Sequence, residues 1–408
     1  MVCPVNDMNT DTSAGIHLVP GLKLGSAGAG IKRTDRDDLL LIELAPGSSC
    51  AAVFTRNAFC AAPVTVSRRH LGNAPRWLLV NSGNANAGTG QRGLNDALES
   101  CRLVAGLTGG SAEQVLPFST GVIGEDLPLD KIAAALPESI AALTEDGWDR
   151  AARAIMTTDT VPKLAHREIT LDGVNVSLVG IAKGAGMIHP DMATLLAFIG
   201  TDASVEAGLL QELLSMAANR SFNCITVDGD TSTNDSLVLM ATGMSEVQID
   251  GTSVHLEVFA EALQAVCDDL AEAIVRDGEG ATKLMRIVVE QADSESEAHR
   301  VANTIALSPL VKTAFFASDP NWGRILAAVG RSGCPGLDIN QVTLWLDDVC
   351  IVENGGRALS YTEEAGQRIM AEPEITVRVV LGRGTASQTV VTCDFSYDYV
   401  KINAEYRT

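Results

Sequence analysis

No stretch of the 408-residue chain restricts its folding more than residues 181–203, IAKGAGMIHPDMATLLAFIGTDA. The small residues Gly184, Ala185 and Gly186 open backbone conformations denied to larger side chains, so the chain can turn sharply there and pass close to another group. Pro190 fixes its own φ and biases His189 away from helix. The apolar run 195–199 that follows reads as a buried strand. The fold must therefore accommodate a strand, a glycine turn and a second, buried strand in succession, with the Thr194 hydroxyl at the mouth of the second.

Glycine-rich turns into apolar strands are most often plain connections. Reading Thr194 as a nucleophile requires a base able to activate a hydroxyl of very high pKa. One solution is the α-amine of the same residue, freed by cutting the chain between Ala193 and Thr194. The small Ala193 side chain leaves its carbonyl open to attack by that hydroxyl.

Elsewhere, short apolar runs alternate with helical periodicity. Strands are expected at 22–24, 39–44, 51–55, 77–80, 115–118, 171–181, 237–240, 284–289, 342–346, 375–381 and 389–393. Helices are expected at 95–107 with Asn95 as cap, and at 129–143, 147–156, 204–219, 260–276 and 297–305. The length allows two or three domains, but no repeat, low-complexity segment or long linker divides the chain. A mixed α/β fold built as one intimate unit is expected.

Apolar residues make up 46% of the chain and charged ones 20%, the balance of a globular protein. Its net charge of −21, from 51 acidic and 30 basic residues, repels nucleic-acid phosphates and anionic membrane surfaces. An anionic or zwitterionic substrate would need a local cation, which singles out Lys183. Nine cysteines without a C-x-x-C pair read as reduced thiols, and six dispersed histidines give no metal site. The N-terminus lacks a basic, apolar leader and no run is long enough for a membrane span, so cytoplasmic residence is expected.

Five polar loops remain as places for chemistry. Residues 81–90 follow a core strand, and Ser119, Thr120 and Gly121 follow another with the donor types that hold an oxyanion. Residues 157–160 follow a helix, and loops of that kind are commonly caps. Residues 228–235, DGDTSTND, superficially resemble a cation loop but lack its spacing and glutamate, so a hydrogen-bonded structural loop is preferred. In Gly278-Glu279-Gly280 a tight turn presents one carboxylate, either to a substrate ammonium or, beyond a helix end, to solvent.

Six blocks, in order, resemble the ornithine acetyltransferases, or glutamate N-acetyltransferases, of arginine biosynthesis. They are VNSGNANA at 80–87, STGVIG at 119–124, KGAGMIHP with Met192-Ala193-Thr194, DGDTSTND, GEGATK at 278–283 and DPNWGR at 319–324. Asp191 and Leu195 stand where Asn and Met are more usual in that family. The resemblance implies a layered α/β sandwich with a smaller C-terminal lobe, and self-cleavage into chains 1–193 and 194–408. It implies transfer of acetyl from N-acetylornithine to glutamate through Thr194, with Thr120 and Gly121 as oxyanion hole. Thr157, Lys183, Thr194, Glu279, Asn403 and Thr408 would contact substrate, so a C-terminus otherwise expected to fray would be ordered. No cofactor or metal is implied; acetyl-CoA stays open as a second donor, and a heterotetramer of two α and two β chains is the expected assembly. Two rival functions stay open: a self-processing aminopeptidase or amidase that passes the acyl group to water, and a non-catalytic metabolite-binding protein.

Overall fold

The computed structural model describes residues 17–32, 34–189 and 195–405. Its first part runs through β1 (Leu22–Ala27), β2 (Leu39–Leu44), β3 (Ser49–Phe54), α1 (Ala62–His70), β4 (Trp77–Asn84), α2 (Gly90–Thr108), β5 (Val115–Val122), α3 (Leu129–Ala141) and α4 (Trp148–Ala154). A hairpin of β6 (Lys163–Leu171) and β7 (Val174–Lys183) comes next. It is followed by β8 (Leu196–Thr201), β9 (Ser204–Val205), α5 (Ala207–Arg220), β10 (Ile225–Thr226), β11 (Ser236–Ala241), β12 (Gln248–Ile249) and α6 (Leu256–Arg276).

Two large sheets result, ordered β1-β2-β4-β5 and β3-β11-β8-β7-β6, with β12 and β9 paired separately. The runs LLLI of β2 and WLLV of β4 are apolar on both faces because both faces are covered. Leu40, Ile42, Leu78, Val80 and Phe118 turn inward to meet Ile181, Leu196, Phe198, Val238 and Met240 of the other sheet. Leu39, Leu41 and Leu79 turn outward under α2 and α3, and Leu178, Ala197, Ile199 and Leu239 lie under α5 and α6. The result is a four-layered sandwich, helix, sheet, sheet, helix. Phe118 of β5 and Phe198 of β8 meet edge to face at 5.1 Å across the sheets, a contact worth about 1 kcal/mol beyond its buried area.

The C-terminal part adds β13 (Leu284–Ala292), α7 (Glu295–Ala306), α8 (Pro309–Phe316), α9 (Trp322–Gly330), β14 (Thr343–Leu346), β15 (Val349–Glu353), β16 (Gly356–Arg357), α10 (Glu363–Met370), β17 (Glu374–Val380), β18 (Ala386–Cys393) and α11 (Tyr397–Ala404). Its sheet, ordered β10-β18-β13-β17-β14-β15-β16, packs on α7 and α9 around Ile287, Val301, Ile305, Phe315, Ile325 and Val377. This is the second lobe, tied to the sandwich through β10. The mixed α/β class and the layered sandwich with a C-terminal lobe are as expected. No helix among the described residues is long and apolar enough to cross a membrane.

Several local expectations need correcting. Residues 171–181 are not one strand: Asp172 and Gly173, with φ of 51° and 82°, form a two-residue turn between β6 and β7, the Asp-Gly pair supplying the left-handed conformations it demands. β4 and β5 do not stop at 80 and 118. They run on as paired strands through Asn84 and Val122, so Ser119, Thr120 and Gly121 lie in a strand and not in a turn. The helix expected at 95 starts at Gly90, and the second half of DPNWGR opens α9, where the Asn321 side chain accepts a hydrogen bond from the Arg324 N–H.

Candidate active site

β4 and β5 are parallel, joined over α2, so their C-terminal ends emerge together. In the facing sheet β7 runs antiparallel to β8, and β8 parallel to β11, which brings Lys183, Leu196 and Ser236 level with one another. One open end of the sandwich thus collects the ends of β4, β5 and β7 and the beginnings of β8 and β11. A cavity of about 300 Å³ lies there, walled by Thr120, Gly121, Thr157, Lys183, Glu279 and Asn403. Those six residues, drawn from between Thr120 and Asn403, are the described members of the candidate set. Ala193, Thr194 and Thr408 lie outside the described residues.

Leu195, the residue after Thr194, is buried, and a Cβ on Gly184 would touch its side chain at 3.7 Å. On the other side of residues 190–194, Gly186 and Met187 line the cavity.

Thr120 sits at the rim of β5, and its Oγ1 accepts a hydrogen bond from Lys183 Nζ at 3.3 Å. A hydroxyl that accepts from an ammonium has its own proton free to donate, the orientation an oxyanion-binding group needs. Gly121 has φ +136°, and a Cβ there would lie 2.2 Å from the Gly83 carbonyl carbon and 2.5 Å from the Asn84 nitrogen. Since both are backbone atoms of β4, nothing can yield. Gly121→Ala is expected to destabilise the fold by about 3 kcal/mol or more, which thermal unfolding against wild type will measure.

Glu279 hangs from the turn after α6 and is buried; its N–H donates to Ala185 O at 2.8 Å, tying it to the glycine turn after β7. Its carboxylate lies where a Cβ on Gly186 would fall, 2.5 Å away, so only glycine fits beneath it. Asn403 Nδ2 donates to Glu279 Oε2 at 2.9 Å from α11, so the chain end is ordered at least as far as this contact. The alternative of a solvated glutamate beyond a helix end does not describe this residue.

Lys183 is buried in a mixed field. Burial holds its ammonium below the ordinary lysine range, while Asp159, Asp235 and Glu279 favour the charged form and Lys163 opposes it. Asp235 is also wholly buried, and that burial pushes its carboxyl well above the usual carboxylate range. The cavity therefore offers a cation at Lys183, a carboxylate at Glu279 and hydroxyl and amide donors between them, a lining suited to a zwitterionic amino acid.

Sequence reasoning passed over several residues of this site. Asn234, within DGDTSTND, donates from Nδ2 to Ala85 O at 2.6 Å and to Ser119 O at 2.9 Å, pinning the ends of β4 and β5. Asp228 accepts from the Met187 and Ile188 N–H groups at 2.6 and 2.9 Å, so its carboxylate holds backbone. Among the described residues no His, Cys, Asp and Glu group is arranged for a metal ion. Burial pushes the Cys50 and Cys101 thiols up to about 12, so neither is a ready nucleophile. Signals for Asn234 and Asp228 lay in a motif already noticed, and Asp159 lay in the polar segment 157–160 read as a cap; Lys163 and Asp277, taken up below, carried no such signal.

Comparison with known proteins matches residues 23–408 to the ArgJ family. The arginine biosynthesis bifunctional protein ArgJ of Methylococcus capsulatus is 68% identical over 396 residues, covering 96% of this chain and 97% of its own. Among solved structures, the protein of that name from Bacillus halodurans is 40% identical, covering 51% of this chain and 97% of that one with a TM-score of 0.49. An ornithine acetyltransferase from Mycobacterium tuberculosis, complexed with ornithine, is 34% identical, covering 44% of this chain and 96% of that one with a TM-score of 0.38.

Proposed function

The chain belongs to the ArgJ family, and we propose that it is an arginine-biosynthesis acetyltransferase that moves acetyl from N2-acetyl-L-ornithine to L-glutamate through an ester on Thr194. The observation that carries the site assignment is the convergence of Thr120, Gly121, Thr157, Lys183, Glu279 and Asn403 on one cavity.

Maturation comes first. The Thr194 hydroxyl adds to the Ala193 carbonyl, the peptide nitrogen leaves as an amine, and the resulting ester is hydrolysed by water. Chains 1–193 and 194–408 result, the second beginning with a threonine whose α-amine is free. They remain one catalytic unit and pair into a heterotetramer in the cytoplasm.

In turnover the α-amine of Thr194 takes the hydroxyl proton as the oxygen attacks the acetyl carbonyl of acetylornithine. Charge develops on the carbonyl oxygen, where the Thr120 hydroxyl and the Gly121 N–H donate. Ornithine departs with the proton, and the amine of glutamate attacks the acetyl ester in the reverse sense to give N-acetylglutamate. Lys183 pairs with the substrate carboxylate and Glu279, with Asn403 beside it, with the ammonium; Thr157 and Thr408 complete the contacts. No cofactor is required, and acetyl-CoA serves as a second donor if the chain also makes N-acetylglutamate from free glutamate.

Supplying acetylornithine with and without glutamate tests this reading. N-acetylglutamate should form in step with ornithine, with little free acetate. Acetate released at the same rate whether or not glutamate is present would identify an amidase instead. A parallel reaction with acetyl-CoA and glutamate decides the second donor.

A further inference from the structure

Behind the cavity wall lies an ion cluster to which the mechanism above gives no part. Lys163, the first residue of β6 and 2% exposed, donates from Nζ to Asp159 Oδ1 at 2.7 Å and to Asp277 Oδ2 at 2.6 Å. Each aspartate is also buried and also holds backbone. Asp159 Oδ2 accepts from the Thr157 N–H at 2.9 Å, and its Oδ1 accepts from the Gly184 N–H at 2.7 Å. Asp277 accepts from the N–H of Thr160 at 3.0 Å and from its hydroxyl.

These contacts join three segments of the cavity wall. Asp159 sits in the loop with Thr157 and Thr158, Gly184 follows Lys183, and Asp277 precedes Glu279 by two residues. Lys163 is itself paired with Ala182 across the β6/β7 ladder. We propose that Lys163 is a positioning residue of the amino-acid subsite: clamped between Asp159 and Asp277, its ammonium fixes the spacing of Thr157, Lys183 and Glu279 and sets the charge surrounding Lys183.

The cluster holds two carboxylates against one ammonium, and Lys183 is the next cation. Burial alone would raise the Asp159 carboxyl, but Lys183 and then Lys163 outweigh it and hold the group below the usual range. Asp159 is therefore shared, bonded to one lysine and attracting the other through space. The charged groups acting on Lys183 are Asp159, Lys163, Asp235 and Glu279. Removing Lys163 deletes a repulsion from that set, and removing Asp159 deletes an attraction. The two changes must move the Lys183 titration in opposite directions, whereas mere loosening of the fold would not.

This inference rests on the proposal that Lys183 and Glu279 bind substrate, so the experiment includes Lys183→Met. With the full-length enzyme, kcat and KM for acetylornithine are measured across pH for wild type, Lys183→Met, Lys163→Met, Asp159→Asn and Asp277→Asn. Lys163→Met should raise KM on the order of tenfold with a smaller change in kcat. The alkaline limb of kcat/KM should move to higher pH in Lys163→Met and to lower pH in Asp159→Asn. Asp277→Asn removes one charge of the clamp while keeping its shape; like Lys163→Met it should raise KM, and it carries that readout if Lys163→Met does not fold. If Lys183→Met raises KM but the cluster variants leave KM and the alkaline limb in place, or move the limb the same way, the inference is wrong. An unchanged KM in Lys183→Met would instead overturn the substrate role of Lys183.

Discussion

A protein with alanine at position 194 is expected to remain an unbroken chain of 408 residues and to make no N-acetylglutamate above background. Both losses follow from one atom. The hydroxyl that starts the cleavage is the hydroxyl that later carries acetyl, and without cleavage the α-amine stays locked in a peptide bond where it cannot accept a proton. Losing a nucleophile that works as a unit with its base costs on the order of 10⁴ to 10⁶ in kcat. Denaturing electrophoresis and the acetylornithine–glutamate assay read the two effects separately. Thr194→Ser keeps both functional atoms and should retain cleavage and part of the activity, while Thr194→Val keeps the volume and should lose both. A wild-type enzyme that is fully active as one chain would refute the proposed mechanism at its root.

The fold was legible where burial writes itself into the sequence. Strands covered on both sides, such as β2 and β8, carry consecutive apolar residues (39–42 and 196–199), and those continuous runs gave them away. Strand ends were less legible because chemistry sits there. Asn81 to Asn84 and Ser119 to Gly121 are polar or small, as loops are, yet they continue the β4/β5 ladder, and Gly121 is glycine because β4 passes too close for any side chain. The Asp172-Gly173 turn was written in plain dipeptide form and was missed inside a longer alternating run, since alternation continues through a two-residue hairpin.

The site divides in the same way. Residues with a chemical signature in a short motif, such as Lys183 in KGAG and Glu279 in GEG, could be picked out one by one. The ion cluster behind them could not, because Asp159, Lys163 and Asp277 mean something only together, and 114 positions separate Lys163 from Asp277. A lysine at the start of a strand and an aspartate just past a helix are each unremarkable in sequence; only the packed sandwich shows that all three are out of water and must satisfy one another.

Thr120→Ala should divide catalysis from folding more cleanly than any other single change. Thr120 Oγ1 has Lys183 Nζ as its neighbour at 3.3 Å and sits at the cavity wall, so losing it removes a donor without opening a void in either apolar layer. A lost hydrogen bond to a charged group costs about 1.5–3 kcal/mol, and at 3.3 Å this one belongs at the low end, so the protein should stay folded with a modest fall in its unfolding temperature. A donor aimed at a developing oxyanion is worth about 3 kcal/mol to the transition state. In consequence kcat should fall on the order of 10² to 10³, while KM for acetylornithine changes little, because the carbonyl is barely charged before attack. Thr120→Ser retains the hydroxyl and should recover most of the rate. Thr120→Val retains the shape and should behave as alanine does, which separates donation from packing. If Lys183, and not Thr120, donated the hydrogen bond to the oxyanion, alanine would leave kcat near wild type while Lys183→Met would collapse it; an effect of Lys183→Met confined to a higher KM fits only the arrangement in which Lys183 holds a carboxylate and Thr120 donates.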